Sequence, residues 1–458
     1  MFNEKVLEKE LNHIIVQLQE QTGKKEAVVR ENLNQLKKIL QTKEKKDKTP
    51  EEIIKVLFSD VSKAAVAFLE NYNLVPGLNV AAKINNVQIN FNQGFKNHDT
   101  NDRLTSNIMF DIASISKTFI AIIIYQLIEE GVLNFNTKVR DILPNLKNLP
   151  ADFTLSEMTK YTVMYKTEGR VDEASSKEEA EKILASISID EEKRGQYNYN
   201  DMVSMLMVKV VEKVTNKTYL NLVTERIVEP LSLQEIVFGG QVPNDKKDFI
   251  TGSPNINKGM VNDPKANIFG GLHGNAGIYT STGDAIKVLE NLINGGFFKL
   301  NTSDFYNINP SRNNRAVSGQ AIIPSNYYGG DSYSKISTGS QGSTRTTSSS
   351  GIYNINGIKY VVSDSAFTNS ANINPVELKK IAKQSQVDLA KIYKKYENSN
   401  TVRVDIRQIV GSDSLDKIMV ELSKFELNVA VLQAFIKAYE PNYEISMNED
   451  YKDSNLMF

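Results

Sequence analysis

Ser114-Ile115-Ser116-Lys117 sets a hydroxyl and an amine three residues apart, directly before the apolar run Thr118 to Ile124. Residues three apart share a helical face, so the lysine amine can reach the serine oxygen. The start of a helix adds positive potential where an alkoxide or oxyanion would form. Apolar surroundings disfavour the charged form of a lysine, which a base requires. The chemistry this permits is nucleophilic attack on a carbonyl. The spacing alone carries little weight, because Ser332/Lys335 and Ser414/Lys417 repeat it in the same chain. The neighbouring elements have to decide.

Those elements read as follows. Leu7, Leu11, Ile14, Ile15 and Leu18 fall on one face of a first helix, and Val29, Leu33, Leu36 and Leu40 on a second, with Thr22-Gly23 as the turn. Such a pair either packs on the main body or self-associates. Thr49-Pro50-Glu51-Glu52 is an N-cap, a first-turn proline and a capping-box glutamate, opening a helix to about Asn71. Leu78 to Ile84 and Val87 to Phe91 flank Asn85-Asn86 as a hairpin. Helices are expected over 201–214 and 283–294. Strands are expected over 348–354 and 358–366, joined by a two-residue turn at Asn356-Gly357. A helix from Asn374 to about Tyr396, an alternating strand at Val402, Val404 and Ile406, and helices near 413–425 and 427–439 complete the chain, with 442–458 polar and loose. This order requires strands from both ends to meet in one antiparallel sheet covered by helices, an α+β arrangement.

Composition narrows the chemistry. The 458 residues carry 54 Lys+Arg against 55 Asp+Glu, which gives no electrostatic case for nucleic acid or an anionic membrane. There is no cysteine, so disulfides, thiolate metal sites and cysteine nucleophiles are excluded. His13, His98 and His273 lie far apart and outside any ligand spacing, which argues against a histidine triad or a histidine metal site. The first twenty residues are repeatedly charged, and the apolar run near 118–128 is too short to span a bilayer. The expectation is a cytoplasmic protein without a membrane span.

Several segments, in order, give the chain its family likeness. Phe110-Asp111-Ile112-Ala113 leads into Ser114 to Lys117. Glu130-Gly131-Val132-Leu133, Val139 to Pro144 and Phe153 to Met158 follow. Then come Tyr199-Asn200-Asp201, Pro230-Leu231-Ser232-Leu233, the glycine-rich Gly270 to Tyr279 with Thr282-Gly283-Asp284, and Ser337-Thr338-Gly339-Ser340. Over residues 60–396 this resembles the penicillin-binding-protein/class C β-lactamase superfamily of serine hydrolases. The resemblance implies a β-lactamase/transpeptidase-like domain over 49–396, with a helical extension over 1–48 and a mostly helical one over 397–458. It implies an acyl-enzyme at Ser114, with Lys117 and Tyr199 sharing the proton transfers and Tyr197 as a rival two residues away. Backbone N–H groups of Ser114 and Ser340 would form the oxyanion hole, and Thr338 and Gly339 would line the substrate. No metal or organic cofactor is implied, and the substrate class is small esters, amides or D-amino-acid peptides.

The departures matter. Asp201 stands where the family often has Asn; an ionised aspartate only accepts hydrogen bonds and favours the charged form of a nearby lysine. It also reads as a helix-start carboxylate. Ser337 stands where Lys or His is usual, which removes a charge-assisted contact to a substrate carboxylate. Tyr161-Thr162-Val163-Met164 replaces the usual His-Thr-Ser-Gly loop. His273 reads as structural. The alternative is a catalytically weak protein with an assembly role, forming homo-oligomers through its helical extensions.

Overall fold

The computed structural model describes residues 3–19, scattered positions between 30 and 38, 49–71, 77–84, 86–96, 102–196, 198–251, 261, 263–293, 296–297, 321–323, 335–337, 346–353, 362–369 and 413–451. The segments expected at Asn374–Tyr396 and Val402–Ile406, and the residues Tyr197, Thr338, Gly339 and Ser340, lie outside these.

The chain opens with α1 (Glu4–Gln19), whose Leu7 and Leu11 are buried. Thr49 and Glu52 form the expected capping box, with Pro50 at the first helical position. The helix it starts does not run unbroken to Asn71. It divides at Phe58 into α2 (Pro50–Leu57) and α3 (Ser59–Asn71). Phe58 is fully buried edge-on to Phe425 at 4.9 Å and Tyr451 at 5.5 Å, and seating that ring sets the junction. The expected hairpin follows as β1 (Gly77–Ile84) and β2 (Val87–Gly94), closing with Ile84 opposite Val87.

Next come β3 (Met109–Asp111), a 3-10 turn at Ala113–Ser116, and α4 (Lys117–Glu129). α4 is buried at nearly every position from Lys117 to Leu127, as a helix apolar on all sides must be. The middle continues through α5 (Leu155–Thr159), α6 (Lys177–Ala185), α7 (Asp201–Thr215), β4 (Ile236–Phe238), β5 (Ile250–Thr251), α8 (Pro264–Ile268), β6 (Ile278–Thr280) and α9 (Thr282–Ile293). The last part carries β7 (Ala321–Ile323), β8 (Lys335–Ser337), β9 (Thr346–Tyr353), β10 (Val362–Asn369), α10 (Asp413–Tyr439) and β11 (Met447–Tyr451).

Among the described residues seven strands form one sheet in the order β11-β2-β1-β10-β9-β8-β7, antiparallel except for the β11–β2 pair. N- and C-terminal strands thus meet at β1 and β10, as the sequence requires. Two expectations are corrected here, while the turn expected at Asn356-Gly357 lies outside the described residues. β9 and β10 pair from Thr346 opposite Asn369 to Tyr353 opposite Val362, and β10 aligns on β1 with Val80 facing Ala366. The two helices read near 413–425 and 427–439 are one, since nothing between them breaks the backbone ladder. Residues 447–451, read as loose, form an edge strand held by the Lys55–Glu449 pair at 2.5 Å and by Asn90 donating to Asp450 at 3.2 Å.

Among the described residues two large apolar cores result, with a smaller cluster around Met109, Val261 and Tyr279. One joins β1 and β2 to α1, α2, α3 and α10, through Ile54, Phe58, Val80, Leu422 and Val429. The other surrounds α4 and α7, through Ile120, Ile124, Leu206 and Val210. α1 lies along α10, where Lys437 donates to Glu10 at 3.2 Å and Asn3 N–H to the Ala438 carbonyl at 2.7 Å. Both terminal helices therefore spend apolar surface within the chain. No helix among the described residues is long and apolar enough to cross a membrane.

Candidate active site

The Ser114 turn sits at the end of β3, where Asp111 and Ile112 are tied to a second, four-stranded sheet of order β4-β6-β3-β5. The Asp111 carboxylate accepts the Ala113 N–H at 2.9 Å, and Ile112 N–H donates to the Ile278 carbonyl at 3.1 Å. Between them Ala113 takes φ +46°, a left-handed conformation that L-residues adopt at a cost of about 1–3 kcal/mol. The kink turns the chain from strand to helix within two residues and leaves Ser114 half-buried. Ser114 is therefore in 3-10 geometry, not in the first turn of α4. The three-residue spacing still brings the pair together: Lys117 Nζ donates to Ser114 Oγ at 2.7 Å.

Lys117 is only 3% exposed and has two further partners. Its Nζ lies 2.8 Å from Asp201 Oδ1 and donates to the Asn275 carbonyl at 3.3 Å. Asn200, not Asp201, caps α7, its side chain accepting the Val203 N–H. Asp201 occupies the first turn, and its second oxygen is 3.1 Å from Lys265 Nζ on α8. Asp263 caps α8 through the Ala266 N–H at 2.9 Å, and the same Oδ1 accepts from Asn275 Nδ2 at 2.9 Å. A chain of charges thus runs from Asp263 and Lys265 through Asp201 to Lys117 and Ser114.

Burial by itself would push the Lys117 amine below its ordinary value. Asp201, with the Tyr199 and Tyr161 phenols, outweighs that and holds it above. Burial likewise works to raise the Asp201 carboxyl, and Lys117 and Lys265 together draw it down to about 2. Lys265 is also raised, Asp201 and Asp263 overcoming its burial. This balance favours the ammonium form of Lys117 over the free amine in the resting site.

Tyr199 is 40% exposed, and its ring centroid lies 5.0 Å from Lys117 Nζ. It stacks on the fully buried Tyr161 at 5.7 Å with an 8° interplanar angle. Tyr161 has φ +57° and its carbonyl accepts the Asn198 N–H at 2.8 Å, while Thr162 accepts from Gly195 at 2.7 Å. Arg194 locks the same loop with two bonds to Glu157, at 2.5 and 3.1 Å. Glu157 is the capping-box residue of α5, so one carboxylate both starts that helix and anchors the Tyr199 segment.

Comparison with known proteins bears on this arrangement. A family model described as Beta-lactamase matches residues 65–324, more than half of the chain. The chain belongs to the beta-lactamase family. A teichoic acid D-alanine hydrolase of Staphylococcus aureus is 27% identical over 256 residues, 56% of this chain and 60% of the relative. The match thus spans about three fifths of that relative's length. A putative D-alanyl-D-alanine carboxypeptidase of Salmonella gallinarum is 23% identical over 228 residues, 42% of this chain and 53% of the relative. Among solved structures, a D-amino acid amidase from Ochrobactrum anthropi SV3 aligns with TM-score 0.57 at 14% identity, covering 80% of this chain and 98% of its own. A class C beta lactamase from Rhodobacter sphaeroides aligns with TM-score 0.52 at 15% identity, covering 69% and 95%. These structural likenesses establish the β-lactamase/transpeptidase-like fold.

In this beta-lactamase family member Ser337 ends β8, opposite Gly351 and Ala321, and β9 packs against the turn that carries Ser114. β8 is thus separated from that turn by β9, and Thr338, Gly339 and Ser340 lie outside the described residues. The sequence reading missed Lys265, the Asn275 carbonyl, Arg194 and the Tyr161 stack. Asp263-Pro264 carries a helix-start signal that puts Lys265 in a first turn, but nothing local names Asp201 as its partner.

The glycine-rich loop presses Asn275 toward Lys117. A Cβ at Gly274 would collide with the Ser204 carbonyl on α7, so only glycine allows that approach. His273 beside it is buried against Phe269 at 4.5 Å, and its Nδ1 has no hydrogen-bond partner among the described residues. Burial, with Lys209 and Lys177 adding to it, pushes the imidazole down to about 3. A histidine depressed in the folded state stabilises fully above its unfolded value of 6.5, and that contribution is lost as pH falls toward 3. Between pH 7 and pH 5 the loss should reach about 2 kcal/mol. Urea unfolding of wild type and His273→Gln at both pH values measures it. The wild type should lose more than the variant, and equal losses would acquit His273.

Proposed function

We propose that this chain is a serine hydrolase that forms an acyl-enzyme at Ser114 on small esters and amides, D-alanyl esters and D-amino-acid amides foremost. The observation that carries the reading is a serine oxygen 2.7 Å from the nitrogen of a buried lysine, in a chain of the beta-lactamase family. The relatives' D-alanine and D-amino-acid substrates support the substrate class.

In this reading Lys117, once neutral, takes the Ser114 proton as Oγ bonds to the substrate carbonyl carbon. The oxyanion is met by the Ser114 N–H and the Ser340 N–H. The bond to the leaving oxygen or nitrogen breaks as the proton passes to it, by way of Lys117 or Tyr199. Water then cleaves the acyl ester by the reverse sequence. Thr338 and Gly339 would line the acyl group. With Ser337 in place of a cation, substrates bearing a carboxylate lose a charge-assisted contact, so D-alanyl esters should be preferred over penicillins.

A fluorophosphonate probe should label the wild type at Ser114, as read by peptide mass spectrometry, and should not label Ser114→Ala. A panel of D-alanyl esters, D-amino-acid amides and nitrocefin then ranks the substrates. Wild-type protein that never labels and turns over nothing on the panel would overturn the proposal.

A further inference from the structure

One carboxylate serves two lysines in this site, and the second lysine is not on any element expected to carry chemistry. Asp201 Oδ1 meets Lys117 Nζ at 2.8 Å, and Oδ2 meets Lys265 Nζ at 3.1 Å. Asp201 is largely buried, Lys117 almost wholly so, and Lys265 mostly so. For Lys117 to accept the Ser114 proton it must first become neutral. In a site with Asp201 and Lys117 alone, that step leaves a buried carboxylate with no counter-charge, which strongly disfavours it. Lys265 changes the balance. When Lys117 is neutral, Asp201 and Lys265 remain a complete ion pair. When Lys117 is charged, it shares its carboxylate with a competitor and feels a like charge across it.

We infer that Lys265 is a positioning residue that keeps Asp201 paired when Lys117 gives up its proton, and so sets the pH at which Ser114 becomes a nucleophile. The inference rests on the serine-hydrolase reading above. Three features of the surroundings hold Lys265 in this role. Asp263 caps α8 directly before Pro264, fixing the turn from which the lysine extends. Asn275 bridges to Asp263 with its side chain and to Lys117 with its carbonyl, tying α8 to the head of α4. Asp172, itself held by Arg170 at 2.6 Å, adds negative potential at Lys265.

Among the described residues the other charged or titratable groups facing this cluster are few. Tyr199 and Tyr161 lie against Lys117, and Asp111 is engaged by the Ala113 N–H at the start of the turn. His273, in the same loop as Asn275, is held neutral near physiological pH. None of these replaces Lys265 as the second cation on Asp201.

The test is the pH dependence of Ser114 labelling by a fluorophosphonate, measured as a second-order rate from pH 6 to 10.5 on the full chain. With Lys117 held above its ordinary value, the wild-type rate should climb through this whole window without a plateau. Lys265→Gln should lower it about tenfold throughout, and Lys265→Arg should restore it. The double variant Lys265→Gln/Asp201→Asn should label faster than the wild type at pH 7 and level off within the window, because the carboxylate that needed a partner is gone. A part played by Lys265 only in folding would leave the double variant as slow as Lys265→Gln or slower. Equal rates in wild type and Lys265→Gln, or a double variant no faster than Lys265→Gln, in protein that labels at Ser114, would overturn this inference and leave the hydrolase reading standing. Wild-type protein that labels at no pH would remove both.

Discussion

Lys117→Met is expected to slow acylation of Ser114 by about 10²- to 10⁴-fold while leaving the protein folded. The rate effect follows from the geometry. Lys117 Nζ is the group 2.7 Å from Ser114 Oγ, and the Asn275 carbonyl and Asp201 that also hold it only accept protons in their resting forms. Methionine has nearly the length of the lysine stem and can lie along the apolar start of α4, but offers no base. Stability should suffer less than such a buried position suggests. Removing one member of a buried ion pair typically costs about 3–5 kcal/mol because the other charge is stranded. Here Asp201 keeps Lys265, so the loss should fall below that range. Labelling kinetics and a thermal melt on the same sample check both halves. A variant that labels within tenfold of the wild type would move the general base to Tyr199.

How much of this was legible beforehand depends on the range of each interaction. The Ser114–Lys117 pair is a three-residue relation, and so is the Thr49–Glu52 capping box; both could be read directly from residue types. The β1–β2 hairpin closes across two residues and was equally legible. Asp201 was recognised as a carboxylate that would hold Lys117 charged, because Tyr199-Asn200-Asp201 is compact. Its second partner was not, because Lys265 lies on a separate helix and meets Asp201 only after α7 and α8 have packed. The alignment of β10 on β1 is of the same kind, since the two strands lie far apart in sequence. β11 was hidden in another way. Its inward positions include Glu449, whose charge breaks the apolar alternation and is balanced by Lys55 from α2. The seat of α1 also could not be chosen locally, since the same leucine stripe fits a second copy of the chain or α10, and α10 is what it meets.

Asp201→Asn separates stability from reactivity more sharply than any other change in the site. At pH 7 the substitution leaves the buried Lys117 ammonium without a carboxylate and Lys265 with only the fields of Asp263 and Asp172, which should cost about 3–5 kcal/mol. The pH dependence of that loss should differ in sign from the wild type. In the wild type Lys117 is raised above 10.5 in the folded protein, so its contribution is complete below that value and declines only as pH climbs through the folded value. Without Asp201, burial acts on Lys117 with only the Tyr199 and Tyr161 phenols against it, and depresses it. A depressed lysine contributes fully above its unfolded value, and its contribution is lost as pH falls. The variant should therefore gain stability between pH 7 and pH 10 where the wild type does not. The same shift makes neutral Lys117 available at lower pH, so labelling of Ser114 at pH 7 should be faster in the less stable protein. Urea unfolding at pH 7 and pH 10, set beside labelling rates at pH 7, measures both. If stability and labelling fell together, with no recovery at alkaline pH, Asp201 would be acting on the shape of the α7 start and not on the charge of Lys117.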